Sequence, residues 1–191
     1  MKRLINNTLL IFFLAASHQA FSQLATLDNS NSSVSFVTTK VQDIQEVMRF
    51  DRLSGEISDE GQVEIQIEAT SVNTAIAIRD DRMKEHLFEV AQFPEISVLA
   101  DIDVANLPEQ TGMVQIPATL QILGMKHGVE LNLLVSVTEE QILVVSAEPV
   151  LVNAGELGLA KGLDTLGQLA GGIWIGQSVP VSFALTFNLV E

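Results

Sequence analysis

Side chains able to attack, ligate or shuttle protons are scarce in this sequence. It has no cysteine, which removes a thiol nucleophile, a thiolate-bound zinc, a disulfide and an acylated cysteine near the N-terminus. Beyond residue 22 the histidines are His86 and His127. His86 and Glu89 stand at i, i+3, a spacing that on a helix could contribute to a metal site. A lone pair of this kind more simply describes a solvated or capping side chain. His127 falls in Gly124-Met125-Lys126-His127-Gly128, between two strand-like runs, where a hairpin turn with an exposed ring is expected. Asp101 and Asp103 flank Ile102 and share one face of a strand, most simply the solvated one. No HExxH, GxSxG, P-loop or Rossmann glycine pattern occurs. The expectation is a protein without a catalytic centre, a metal or a cofactor.

Basic residues are also few. Ten Lys and Arg against 24 Asp and Glu give a net charge of -14, so nucleic acid and anionic membrane surfaces are repelled at long range. Arg79, Arg82 and Lys84 nevertheless stand within six residues of one another. With Lys126 they are half of the eight cations beyond residue 22 and the natural partners of an anionic head group, for which Arg79, Arg82 and Lys126 are the candidates.

The elements that must position these residues follow from hydrophobic period. Residues 1–22 read as a secretory signal peptide, leaving residues 23–191 as one domain. Met1, Lys2 and Arg3 form a positive start, Leu9 to Ala16 a short apolar run, and Ala20-Phe21-Ser22 a small-residue exit. That run is well short of the ~20 residues of a membrane span. From Ser33 onward the dominant period is two. Val63 to Ala69, Val129 to Val137 and Val179 to Leu189 each present one apolar and one polar face. Weaker strand patterns cover Val34 to Thr39, Val47 to Ile57, Glu95 to Val104, Val114 to Leu123 and Ile142 to Val152, about eight strands in all. Arg79 to Ala91 has helical spacing, with an end expected near Phe93 before Pro94. Ala154 to Ala170 repeats Leu159, Leu163 and Leu166 on one helical face, but Gly155, Gly158, Gly162 and Gly167 predict a short or loose helix. Such strands close either as a two-sheet sandwich or as a barrel, and period alone does not choose.

Six segments together resemble the YceI-like family. They are SSVSF at Ser32 to Phe36, RFDRLSGEI at Arg49 to Ile57, VEIQIEATSVNT at Val63 to Thr74, RDDRMKEHLFEVAQFPEI at Arg79 to Ile96, LQILGMKHGVEL at Leu120 to Leu131 and VPVSFALTF at Val179 to Phe187. LVNAGELGL at Leu151 to Leu159 resembles an insertion found in one branch of that family. The resemblance implies an all-β fold, an extended lipocalin-like eight-stranded antiparallel β-barrel with one or two short helices, exported to the periplasm. It implies a non-catalytic protein that carries or stores a long isoprenoid lipid, a polyprenyl phosphate or an isoprenoid quinone, in an apolar interior. The cavity wall would then be Val63, Ile65 and Ile67, Leu131, Leu133 and Val135, and Phe183, Leu185 and Phe187. A homodimer is a further implication. The alternative to a lipid carrier is a non-catalytic stress-response protein, or a partner of a membrane cytochrome, that itself handles quinone or haem. Met48 stands where many members have glycine, which would narrow the cavity. Arg82 stands where the commoner pattern has histidine, which alters a head-group contact.

The signal-peptide reading makes a direct prediction. Intact-mass measurement of protein from the periplasmic fraction should give a chain beginning at Gln23, and a mass retaining Met1 would overturn it.

Overall fold

The structure is a computed structural model that describes residues 22–41, 43–108 and 110–190. The signal-peptide segment, apart from Ser22, lies outside the described residues. In chain order the strands are β1 Gln23–Leu27, β2 Ser33–Lys40, β3 Ile44–Phe50, β4 Leu53–Ser58, β5 Gln62–Glu68, β6 Val72–Asn73 and β7 Glu95–Asp101. There follow β8 Thr111–Ile122, β9 Met125–Val137, β10 Gln141–Ser146, β11 Val150–Asn153 and β12 Ser178–Leu189. The helices are α1 Ala77–His86 and α2 Ala160–Leu169.

Every strand pairing is antiparallel, and the pairings run in a closed ring through β1, β4, β5, β7, β8, β9, β10 and β12. The result is the eight-stranded barrel that period alone could not distinguish from a sandwich. β12 closes it. One edge of β12 carries β10 and β11, and the other carries β1 and β2. β1 and β2 thus form one bent stave, and β3 and β4 form the bent stave beside it.

This bend replaces the single strand expected over Val47 to Ile57, and its cause is polar. At its level Asn29 accepts from the Leu53 N–H at 2.6 Å and donates to the Asp51 carbonyl at 3.3 Å. Asp51 also accepts from Asn73 at 2.6 Å and Arg49 at 2.7 Å, while Glu68 takes Arg52 and Thr70. β1 was not apparent in the sequence, since only Ala25 and Leu27 mark its buried face. The run expected over Ile142 to Val152 breaks around Pro149, which has no N–H to give the ladder. Above the bend β3 meets β6 only at Arg49 and Phe50, and α1 completes the wall there.

The helices also differ from expectation. α1 begins at Ala77 and stops at His86. The Phe88 N–H turns back to the Met83 carbonyl and the Val90 N–H to that of Lys84, with Glu89 in the left-handed region at φ 48°. His86 and Glu89 therefore do not share a helical face. α2 is short, and the first of its two glycines has a packing reason. A Cβ at Gly162 would lie 2.6 Å from the His86 carbonyl oxygen and 2.9 Å from Leu87 Cα, so only glycine lets α2 rest on the end of α1. Between β8 and β9 the turn is just Leu123-Gly124, both with positive φ, which is the type I′ geometry that suits strand twist. His127 is consequently a half-buried residue of β9 opposite Leu120 rather than an exposed turn residue.

The carboxylates at the bend set an acid limit. Hydrogen bonds from Ser30 and then Asn31 hold the Asp28 carboxyl down to about 2. Arg52 and then Thr70 hold Glu68 down to about 2, and Asn73 and then Arg49 lower Asp51. A depressed folded-state value contributes stability that is complete above the ordinary carboxylate range, about pH 4 to 5, and is lost as pH falls through the folded value. Melting temperature should therefore be level above that range and fall steadily toward pH 2. The double variant Asp28→Asn, Glu68→Gln should flatten this limb in thermal melts. An unchanged limb would remove the bend from the account.

Candidate functional site

The inward faces of the staves do not fill the barrel. They enclose a cavity of about 630 Å³, whereas packed interiors leave few voids larger than a water molecule. Small-molecule pockets occupy roughly 300–1,000 Å³. All nine residues expected on the wall line it: Val63, Ile65 and Ile67 from β5, Leu131, Leu133 and Val135 from β9, and Phe183, Leu185 and Phe187 from β12. The pleat places them there, because Ile65 opposes Val98 and Val135 opposes Val144, so adjoining strands present matched inner positions. Phe36 and Phe50 stack with centroids 5.4 Å apart, and Phe50 meets Phe88 beyond the end of α1 at 5.6 Å. Met83, Leu87, Leu163 and Leu166 complete an apolar roof. Met48 is buried on the same wall.

The cavity has one cationic end, between α1, the β2–β3 hairpin and the segment following α2. Lys40, Glu46, Arg79 and Arg82 all line it. One Glu46 oxygen lies 2.5 Å from Lys40 Nζ and 2.7 Å from an Arg79 terminal nitrogen. The Lys40 hydrogen bond, reinforced by the charge of Arg79, holds the Glu46 carboxyl below its usual range. The other Arg79 terminal nitrogen donates to the Thr74 carbonyl at 2.7 Å, while its buried Nε–H has no partner among the described residues. Arg82 donates to the Leu169 carbonyl at 3.1 Å. Arg79 and Arg82 are thus brought together at the cavity. Lys126 is not, for it stands exposed on β9 opposite Gln121 and lines no part of the cavity.

Lys40 and Glu46 were absent from the sequence reading, yet a signal existed. Thr38 and Lys40 continue the inward parity of Val34 and Phe36 along β2, and Glu46 shares the parity of Met48 and Phe50 along β3. A charged side chain that continues an apolar face is the mark of a strand running past its core to a rim.

A second exit lies in the wall. The β7–β8 ladder covers only Ser97–Ala100 against Ala118–Gln121, after which the strands part. Asp101, Asp103, Asn106 and Gln115 border the cavity there, all exposed. Asp103 caps the turn at Val104–Asn106, accepting from the Ala105 N–H at 3.1 Å and the Asn106 amide at 2.6 Å, so the Asp101/Asp103 pair forms no dyad. His127 Nε2 is buried without a partner among the described residues, but the ring does not line the cavity.

A model of the YceI-like domain matches residues 26–187. A solved polyisoprenoid binding domain from Saccharophagus degradans, implicated in plant cell wall breakdown, is 33% identical with a TM-score of 0.85, over 88% of this chain and 100% of that one. BcnA of Burkholderia cenocepacia is similar in fold, at 14% identity and a TM-score of 0.67 over 84% of this chain and 98% of that one. The Campylobacter jejuni YceI protein also shares the fold, at 14% identity and a TM-score of 0.54, covering 75% and 85% of the two chains. No curated protein matches the sequence.

Void and packed core respond oppositely to added bulk. In a packed core Leu133→Trp would cost about 1–3 kcal/mol by overpacking. In this cavity the ring has room, so urea unfolding should register less than about 1 kcal/mol of loss relative to the parent. A larger loss would mean that the interior is filled.

Proposed function

The chain belongs to the YceI-like family, and from that membership we propose that its barrel carries or stores a long isoprenoid lipid in the periplasm. The observation that carries the reading is an apolar cavity of about 630 Å³ with its cations gathered at one end. Burying roughly 500 Å² of alkyl surface at ~25 cal/mol per Å² supplies about 12 kcal/mol before the cost of association. Such a site needs almost no polar chemistry along the chain of its ligand. That the 33%-identical domain of Saccharophagus degradans is a polyisoprenoid binding domain supports the same choice, and the signal-peptide pattern at Met1 to Ser22 supports export.

The cationic end favours a head group that accepts hydrogen bonds. Arg79 has a buried Nε–H without a partner among the described residues, and a buried orphan donor calls for an acceptor. Arg82 and Lys40 bring further positive charge to the same place, while Glu46 offsets part of it. On this reading a phosphate or pyrophosphate head is held by charge-assisted hydrogen bonds, and a quinone head by neutral ones.

Organic extraction of purified protein followed by mass spectrometry should yield a prenyl lipid. Arg79→Ala and Arg82→Ala should then weaken a prenyl pyrophosphate about ten- to a hundredfold, as expected for a hydrogen bond to a charged group, and a neutral isoprenoid quinone much less. Wild-type protein that takes up neither class in a direct binding assay would end the lipid reading. Equal weakening of both would remove only the head-group assignment.

A further inference from the structure

Large apolar side chains are exposed on the segments that carry the cationic mouth. Trp174 and Ile78 are each 59% exposed, Val41 and Ile44 48%, and Leu169 42%. Each is tied to a residue that lines the mouth. Val41 follows Lys40, and its N–H donates to the Trp174 carbonyl at 3.1 Å. Ile44 opposes Lys40 across the β2–β3 hairpin. Ile78 precedes Arg79, Leu169 offers its carbonyl to Arg82, and Trp174 stands between the lining residues Ile173 and Ile175. The second exit has Asp101, Asp103 and Asn106 at its surface and no comparable group of exposed apolar side chains among the described residues that border it, whereas the rim carries Asp43 and Asp81 among its apolar ones.

We propose that this rim is a docking face for a lipid bilayer, placing the cavity mouth against the membrane from which its ligand is drawn. The proposal rests on the isoprenoid reading of the cavity. Three features favour a bilayer over another occupant. The rim is continuous with the mouth of an apolar cavity, so a prenyl chain passes from membrane to barrel without crossing water. Each methylene that did cross would cost about fourfold in equilibrium. The same segments expose a tryptophan and aliphatic side chains while Lys40, Arg79 and Arg82 line the mouth, a combination that seats at the boundary between acyl chains and head groups. The acids bordering the second exit disfavour that side for an anionic membrane. Attachment is driven by apolar burial and not by charge, since the whole chain carries -14.

Trp174 is the sole tryptophan of the chain and reports directly on the face in question. On mixing the exported protein with neutral phosphatidylcholine vesicles, its emission should shift to the blue and the protein should float with the vesicles. Ile78→Ser and Leu169→Ser should each lower the partition coefficient about three- to tenfold, the effect of losing a half-exposed aliphatic side chain from the contact. Met113→Ser, which removes an exposed side chain from the outer wall of β8, should leave it unchanged. Phosphatidylglycerol in the vesicles should weaken binding, and added salt should restore it. Docking is refuted if wild-type protein neither shifts nor floats, if the rim variants behave like Met113→Ser, or if the shift appears without vesicles together with a doubled mass in sedimentation, which would mean that a second copy covers the rim. Uptake of prenyl lipid from detergent solution, measured on the same variants, separates the two readings. Uptake without vesicle binding refutes docking alone, and vesicle binding without uptake refutes the cavity reading alone.

Discussion

β12 is hydrogen-bonded along both edges, to β10 and β11 on one side and to β1 and β2 on the other, and the cavity depends on this closure. A closed ladder satisfies the backbone donors and acceptors of its wall within the wall itself. The interior then has no polar obligation to meet and can be lined by Leu, Ile, Val and Phe alone. An open sheet would have to cover its apolar face with a second layer, which would fill the space. Closure therefore permits a void, and the two helices only have to roof it. The tight contact of Gly162 with the end of α1 is the means by which α2 sits low enough to do so.

The bend shared by the first two staves is the second requirement, and it is made outside the barrel. Asp28, Asn29, Asp51, Arg52 and Glu68 are polar groups on the surface, and they turn β2 and β3 away from the line of β1 and β4. Above that turn α1 takes the place of strand pairing, which brings Arg79 to Glu46 and Lys40. A cationic site in a strongly acidic chain is thus a product of topology. Arg79 and Arg82 come from a helix and Lys40 from a hairpin, so the site forms only where the two elements meet.

Much of this was legible because a strand has a period of two. The alternation in β5, β9 and β12 identified inward residues without knowledge of their neighbours, and the cavity wall follows that parity. Period names the face that is buried, however, and not what it is buried against, so the choice between void and packed interior needed the closed ring. Breaks within apolar runs were equally hidden. Between Phe50 and Leu53 the local mark is only Asp51-Arg52 and a shift of inward parity from Met48 and Phe50 to Leu53 and Ile57, and the strand divides there where Asn29 and Glu68 arrive from distant segments. The stop at His86 depends on a left-handed Glu89, a conformation that sequence pattern seldom reveals. Lys40 and Glu46 were passed over because charge at a strand end is usually solvated, and α1 makes this end different.

The parting of β7 and β8 below Ala100 and Ala118 gives the cavity an exit besides its cationic mouth. A blind pocket acts as a ruler, since its depth rejects any occupant longer than itself. A passage with two ends measures girth instead of length. For the prenyl chain proposed above, such a barrel would select by thickness and branching, and surplus units would emerge between the parted strands. Length would then be set by the supply of ligand, with the protein indifferent to it.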